Sequence, residues 1–590
     1  MIEHVAQPAA RASLWPFAII YLFTCILSVI VNFETIAEVK FPDPDDALRL
    51  QQVRDWIAGQ SWFDLRQYRM NPPEGAPMHW SRLVDVPIAA MIVLLTPLLG
   101  SAAAEVAAMT LVPLLTLGAA MALIAAVTHR LLGREHAILA MLLVPVSVAV
   151  VHQLRPMRID HHGWQMVLAA GALLAALDWR PHRSGLIVGA LAAIWLTISL
   201  EGLPFAAALV ALMAFRWLAD PREGVRLVAT AAGLAVTSLA LFALTRGGGD
   251  WLINHCDQLS PVHLAMFGIG AGGCLAVSRL GGLPWWGRLL LLGGLGAAAL
   301  AMMLAIAPQC RSGPFGSLDP LVREFWYERV QEGLPLWRQT PSQAATAIAF
   351  PLVGLFGSWR AFRTAAGERR EAWAIVLFLL AAAMLTTVAV ERAGSVANLL
   401  AVPGGAFIFQ AALMRARGAG SLRRRAAATL AALLLIGPGH VVYAASLMLA
   451  DQERIRQLRE AGTCMDADEL AVLSQLPPSD IAAPLDLSPA IVVLTGHRII
   501  ASGHHRNEAA MRDTIRLFTL PPDQAREVLV KRSIDYVAIC PNLSEPQLYT
   551  FYAPRGLMAL LERGGRPDWL EPVPVAGAER LRVWRVKAAR

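Results

Sequence analysis

The sequence predicts an all-α polytopic membrane protein with a small α/β domain at its C-terminal end. Three observations predict it. Hydrophobic residues make up 56% of the 590 and charged residues only 16%, with a mean hydropathy of +0.50, far from a soluble globular chain. Apolar runs recur between residues 14 and 448, most of them close to the roughly 20 residues that cross a bilayer. After residue 450 they give way to short β-branched stretches around a helical one.

In order, the candidate crossings fall near 14–33, 103–128, 136–154, 164–180, 185–200, 203–217, 226–245, 262–279, 288–306, 344–360, 373–390, 397–414 and 426–448, about 13 in all. No small-residue cleavage site precedes the first, so Leu14–Asn32 is expected to remain as a signal anchor. Pro87–Gly100 is short for a crossing and is placed in the outer interface. With the N-terminus inside, the inner loops are 129–135, 180–183, 216–226, 278–288, 360–370 and 415–425, and every one is basic, as the positive-inside rule requires. That distribution accounts for the net charge of +7 without a nucleic-acid partner. The other face receives 34–86, 155–163, 201–203, 246–261, 307–343, 391–395 and the tail. Two domains follow, a transmembrane one over 1–450 and an extracytoplasmic α/β one over 451–590. In the tail, the last membrane helix is expected to continue as the charged stretch 451–462. Strands are expected at 491–496, 535–540 and 580–586, and a helix at Pro522–Lys531.

The first outer loop opens with Asp43, Asp45 and Asp46. An acidic cluster beside a membrane repels anionic head groups and suits a divalent cation or a positively charged partner. Asp45 and Asp46 also suit the cap and dipole of a helix start; for Asp43, ahead of Pro44, capping explains less. Leu48, Val53 and Ile57 then mark an amphipathic helix lying on the membrane, and His79 and Trp80 read as an interface anchor. The second loop, from Arg155, places Asp160, His161 and His162 at a helix start on the same face. Aspartate favours Mg²⁺ or Mn²⁺ and imidazole shifts the choice toward Mn²⁺ or Zn²⁺; an Asp160 cap with wet histidines is the alternative. In the long loop 307–343, Glu324, Glu328 and Glu332 have i, i+4 spacing and share one helical face unless Gly333 ends the helix. Between two apolar spans, Arg392 suits a lipid-linked phosphate held by two parallel hydrogen bonds, or, with Glu391, the capping of adjacent helices.

The order of these parts resembles the membrane-embedded catalytic subunits of oligosaccharyltransferases, within the GT-C glycosyltransferase superfamily. Asp43-Pro44 with Arg49 resembles that family's first-loop aspartate motif. Asn71-Pro72-Pro73-Glu74-Gly75 with His79-Trp80 resembles the pattern later in the loop, and Arg155 to Asp160-His161-His162 its second-loop motif. Val330-Gln331-Glu332 resembles a short motif ending in glutamate, and Arg392 falls where a phosphate-binding arginine is expected. The resemblance implies a divalent metal, Mg²⁺ or Mn²⁺, held by Asp43, Asp160 and His162. It implies Asp43 and Glu332 as catalytic residues and Arg392 on the phosphate of a polyprenyl-linked sugar donor. Asp45, Asp46, Arg49, Arg155, His161, His79 and Trp80 would support them. The setting it implies is a bacterial inner membrane with the site and tail outside. Two features depart from the pattern: no Trp-Trp-Asp-Tyr-Gly motif is present, and Gln165 stands where many members carry glutamate. A glycan, lipid or other surface acceptor is therefore at least as expected as protein.

A transporter or flippase of a lipid-linked or anionic substrate is the rival reading, but its ionisable residues belong near the bilayer midplane, not in outer loops. A scaffold with a sensing domain leaves the acidic loops unexplained. His504, His505 and Arg506, in a polar loop of the tail, read more as solvated than as facing an acceptor. In an oxidising outer compartment Cys256 can pair with Cys310 and Cys464 with Cys540.

Overall fold

A computed structural model describes residues 13–280, 282–449, 464–541 and 543–587. The expected domain boundary at 450 and the charged continuation at 451–462 lie outside these residues. Helices α1 (Trp15–Val31) and α2 (Phe33–Ala37) lead into α3 (Pro44–Ile57) of the first loop, followed by α4 (Arg82–Leu99) and the long α5 (Ser101–Leu132). Among the described residues ten helices are long and apolar enough to cross a membrane, or twelve if two bent pairs each form one span. Trp15–Val31 and His162–Ala176 are shorter apolar helices.

One of the ten, α4, contains the run expected to be too short to cross. Ser81 caps it by accepting from Leu83 N–H, so the helix begins five residues before Pro87 and reaches 18 residues. Asp85 in its first turn lies 3.0 Å from Arg49, and Glu105, just after α5 begins, lies 2.6 Å from Arg54. At 18 residues α4 is about 27 Å long, enough to cross a bilayer, so the expectation that this run is too short for a crossing is corrected. The expected crossings at 14–33 and 164–180 fall on the two shorter helices and those at 136–154 and 426–448 on the bent pairs, so length and composition give ten to twelve spans among the described residues rather than thirteen.

Small residues set the tightest helix contacts. Gly404 on Gly394–Arg417 faces Pro341–Thr364 so closely that an added Cβ would lie 2.0 Å from the Gly354 carbonyl oxygen. Gly189 stands likewise against Thr230, where a Cβ would be 2.1 Å from the carbonyl oxygen. Close backbone approach gives dispersion where lipid removes the hydrophobic drive for helix pairing.

In the first loop, β1 (Arg66–Gln67) and β2 (Ala76–Pro77) pair antiparallel. The C-terminal sheet contains β3 (Asp480–Ala482), β4 (Arg498–Ile499), β5 (Tyr536–Ile539), β6 (Leu570–Pro572) and β7 (Arg582–Val586) in the order β4-β3-β5-β7-β6. Its first three strands are parallel; β7 pairs antiparallel with β5 and β6. Thus 535–540 and 580–586 form strands and Pro522–Lys531 a helix, as expected. The run 491–496 does not form a strand. Ser488–Leu494 is a helix started by Pro489, with Ile491, Val492 and Val493 all buried, and a short run buried on every side has no periodicity to distinguish the two forms. Backbone bonds from Asn71 N–H to Ile499 O and from Ile499 N–H to Arg69 O, both 2.9 Å, dock the first loop on the β4 edge. Disulfides join Cys256 to Cys310 and Cys464 to Cys540.

Gly404→Ala is expected to destabilise the protein by roughly 1–3 kcal/mol, because the methyl meets backbone that cannot yield. An unchanged melting temperature in detergent contradicts this packing.

Candidate active site

Helix α3 starts where the acidic cluster needs it to. Asp43 is the cap: its backbone is extended, Oδ1 accepts from Asp45 N–H at 2.9 Å, and Pro44 follows at the first helical position, where no N–H is needed. The expectation that Asp45 and Asp46 serve as caps is therefore corrected. Asp46 is fully buried, and its Oδ1 accepts the backbone N–H groups of Ile159 and Asp160 at 2.9 and 3.0 Å. One carboxylate thus folds the second loop onto the first. A bond from Met157 N–H to Met109 O, 2.9 Å, anchors the same loop to α5. Nor does α3 lie on the membrane: Leu48, Arg49, Gln52 and Val53 are buried, and Leu48 belongs to one apolar cluster with Ile491 of the C-terminal domain.

Around this junction charged groups form a nearly closed ring. Arg158 reaches Asp43 at 2.9 Å, Asp46 at 3.3 Å and Glu332 at 3.9 Å. Glu332 lies 3.4 Å from Arg392 and 3.9 Å from His162 Nε2. Arg392 binds Glu201 at 2.7 Å, Glu201 lies 3.8 Å from His161 Nε2, and His161 Nδ1 lies 2.7 Å from Asp160. The ring closes through Asp160 and His162, 3.3 Å apart. Arg49 joins it from below, 3.2 Å from Asp160 and 3.0 Å from Asp85, with Trp80 4.6 Å beneath the guanidinium. Gln52 and Arg82 bind the other oxygen of Asp85.

The structure brings Asp43, Asp46, Asp160, His161, His162, Glu332, Arg392, Arg49 and Trp80 into this assembly. Arg155 stands near it, its Nε buried without a hydrogen bond. His79 does not join; it packs against His504 and His505 of the C-terminal domain. Glu324, Glu328 and Glu332 do not share a helical face, because the helix ends at Phe325 and only single 3-10 turns follow at Tyr327–Arg329 and Gln331–Gly333. The polar loop at His504 is not solvated either: His504 is 3% exposed. Sequence reasoning passed over Arg158, Glu201 and Asp85. Arg158 lies inside the second-loop motif and Glu201 in a short outer segment, so sidedness was the signal that could have found them.

Burial shifts the charges at the site. It raises Asp45 well above the usual carboxylate range, with Asp43 and Asp160 adding repulsion, and brings Asp46 up to about 7 despite Arg158. Asp160 goes the other way: burial would raise it, but His161, His162 and Arg49 hold it well below its ordinary value. His161, which burial alone would lower, is raised to about 9 by Asp160. One oxygen or nitrogen from each of Asp160, His161 and His162 lies within 4.8 Å of the others, and His161 Nε2 is buried without a hydrogen bond. This mixed N and O donor set fits a divalent cation. Asp43 is engaged by Arg158 beside that trio.

No known family model matches the chain, and no curated protein matches it in sequence. Solved structures do match it in three dimensions. The archaeal oligosaccharyltransferase AglB from Archaeoglobus fulgidus, in complex with an inhibitory peptide and a dolichol-phosphate, superposes with a TM-score of 0.63 at 15% identity, over 95% of this chain and 72% of that one. Its apo form gives 0.62 at 16% identity, over 96% and 74%, and its complex with Zn and sulfate gives 0.60 at 15% identity, over 94% and 71%. The chain shares the fold of this archaeal oligosaccharyltransferase.

Arg49→Met leaves Asp85 and Asp160 short of their shared counter-charge, so a loss of roughly 3–5 kcal/mol is expected in thermal or denaturant unfolding. A loss under 1 kcal/mol contradicts the bridging role. His161 makes stability depend on pH. Its folded value, about 9, exceeds the ordinary value of about 6.5, so its contribution is fully present below pH 6.5 and lost as pH rises through 9. Melting of EDTA-treated protein is expected to show this alkaline decline, and Asp160→Asn to flatten it.

Proposed function

We propose that this chain is an integral-membrane glycosyltransferase that moves a sugar or oligosaccharide from a polyprenyl-phosphate-linked donor to an extracytoplasmic acceptor, with a divalent cation at the site. The observation that carries the reading is the convergence of Asp43, Asp160, His162, Glu332 and Arg392 from four separate loops around one ring. The dolichol-phosphate bound by the archaeal neighbour of the same fold supports a lipid-linked donor, and its crystallisation with Zn supports a metal at a GT-C site.

Asp160 and His162, with Asp43 or His161 completing the set, would hold a divalent cation, which would supply positive charge for the departing phosphate. Arg392 donates two parallel hydrogen bonds to that phosphate once it leaves Glu201. Arg155, near the acids and with an unpartnered Nε, adds a second positive group. Asp43 accepts a hydrogen bond from the acceptor nucleophile and directs it at the anomeric carbon, and Glu332 holds His162 and Arg392 in register. Without the Trp-Trp-Asp-Tyr-Gly motif, a glycan, a lipid or another surface molecule stands at least level with a protein as the acceptor.

Transfer from a radiolabelled polyprenyl-linked donor tests this reading. Asp43→Ala and Asp160→Ala are each expected to lower the rate about 100-fold or more, and EDTA to abolish it until Mg²⁺ or Mn²⁺ is restored. Full activity in both variants removes the proposed site. Full activity in EDTA removes the metal alone.

A further inference from the structure

A second group of metal-binding side chains lies away from the acidic ring. Single ligand atoms of His79, Asp257 and His505 all lie within 4.8 Å of one another. The residues come from three separate parts: the end of the first loop, the outer loop at 246–261, and the C-terminal domain. We propose that they form a site for a divalent transition-metal cation of the zinc class, which fastens the C-terminal domain to the transmembrane part.

Two imidazoles and a carboxylate, with a fourth position for water, are a ligand set that Zn²⁺ takes and Mg²⁺ or Ca²⁺ does not favour. His505 Nε2 already lies 2.7 Å from Asp257 Oδ2, so one proton stands where a cation would bridge the two groups. His79 Nδ1 is 2.9 Å from His504 Nε2, which leaves the other ring nitrogen of His79 for the metal. His504 is buried and its Nδ1 has no hydrogen-bond partner, a further imidazole donor enclosed beside the trio.

The surroundings are those of an outer coordination shell. Arg506 grips both oxygens of Asp257 at 2.7 Å each, orienting the carboxylate while leaving further lone pairs on each oxygen. Arg246 donates to the His79 carbonyl at 3.0 Å, fixing that backbone. The disulfide of Cys256, next in sequence to Asp257, secures the loop, and the rings of Phe315 and Trp326 pack against His505. Arg506 keeps the cluster near neutral without an ion, so the chain folds before the metal arrives and gains rigidity when it does.

The test uses full-length protein in detergent, stripped with EDTA and titrated with Zn²⁺, with metal content measured by mass spectrometry and melting followed in parallel. Wild type is expected to retain a zinc that His505→Gln and the double variant His79→Gln/His505→Gln lose, while His162→Ala keeps it. Zinc is expected to raise the wild-type melting temperature by roughly a few degrees and to leave that of His505→Gln unmoved. X-ray absorption should show imidazole nitrogen near 2.0 Å. Glutamine retains a donor toward Asp257, so the stripped variant should melt like stripped wild type. Equal zinc content and equal thermal response in wild type and His505→Gln overturn the proposal, as does a wild type that binds no zinc.

Discussion

Everything at the acidic ring rests on the guanidinium of Arg49. It is 1% exposed and pairs at once with Asp85, wholly buried, and with Asp160, with Trp80 against its face. Removing such charges from water costs several kcal/mol per ion, and mutual attraction offsets that only when geometry and remaining hydrogen bonds are good. Here the offset is built from three directions: α4 supplies Asp85, the second loop supplies Asp160, and α3 supplies both Arg49 and the Gln52 amide that holds Asp85 at 2.6 Å. The planar fork divides between two carboxylates and stacks on an indole, a combination that a lysine ammonium cannot reproduce. Moving any of the three segments leaves a buried charge unpaired, so the position of Asp160 is set by the same balance that keeps the loops folded.

The long loop at 307–343 shows how the C-terminal domain is tied to that ring. Its first half belongs to the domain: Val322 and Phe325 lie in the domain's apolar core, and Asp319 meets Glu508 and Arg512. Its second half belongs to the ring, where Glu332 faces Arg392 and the Leu334 carbonyl accepts from Glu391 N–H at 3.0 Å. Between them lie only a few residues of short turns.

Much of this was legible in the sequence, and the limits have physical causes. Apolar run length and basic-loop sidedness gave the helical plan and put Asp43, Asp160, Glu332 and Arg392 on a common face, because both depend on summed transfer energies that context rarely overrides. What failed depended on a few local bonds. The cap fell on Asp43 because Pro44 needs no N–H partner, a detail that moves the aspartate from loop to helix start. The three glutamates parted because the helix broke at Phe325, a point their spacing does not register. The loop at His504 and His505 looked solvated because its partners, His79 for the first and Asp257 for the second, are hundreds of residues away.

Charge within the ring constrains how the proposed reaction begins. Every acidic member already has a cationic neighbour: Asp43 has Arg158, Glu332 and Glu201 share Arg392, and Asp160 has Arg49 and His161. A divalent cation would therefore enter a site whose carboxylates are already paired, and would have to weaken a pair to bind. Arg49 is the least available to yield, being locked by Asp85 and enclosed by Trp80. Arg392 is the most available, since its partner Glu201 is 37% exposed at the side chain and loses less by returning to water. A donor phosphate arriving with its cation would exchange one anionic partner of Arg392 for another and leave Glu201 near His161. On the proposed function, metal and donor would bind best together, because each would supply the charge that the other's entry displaces.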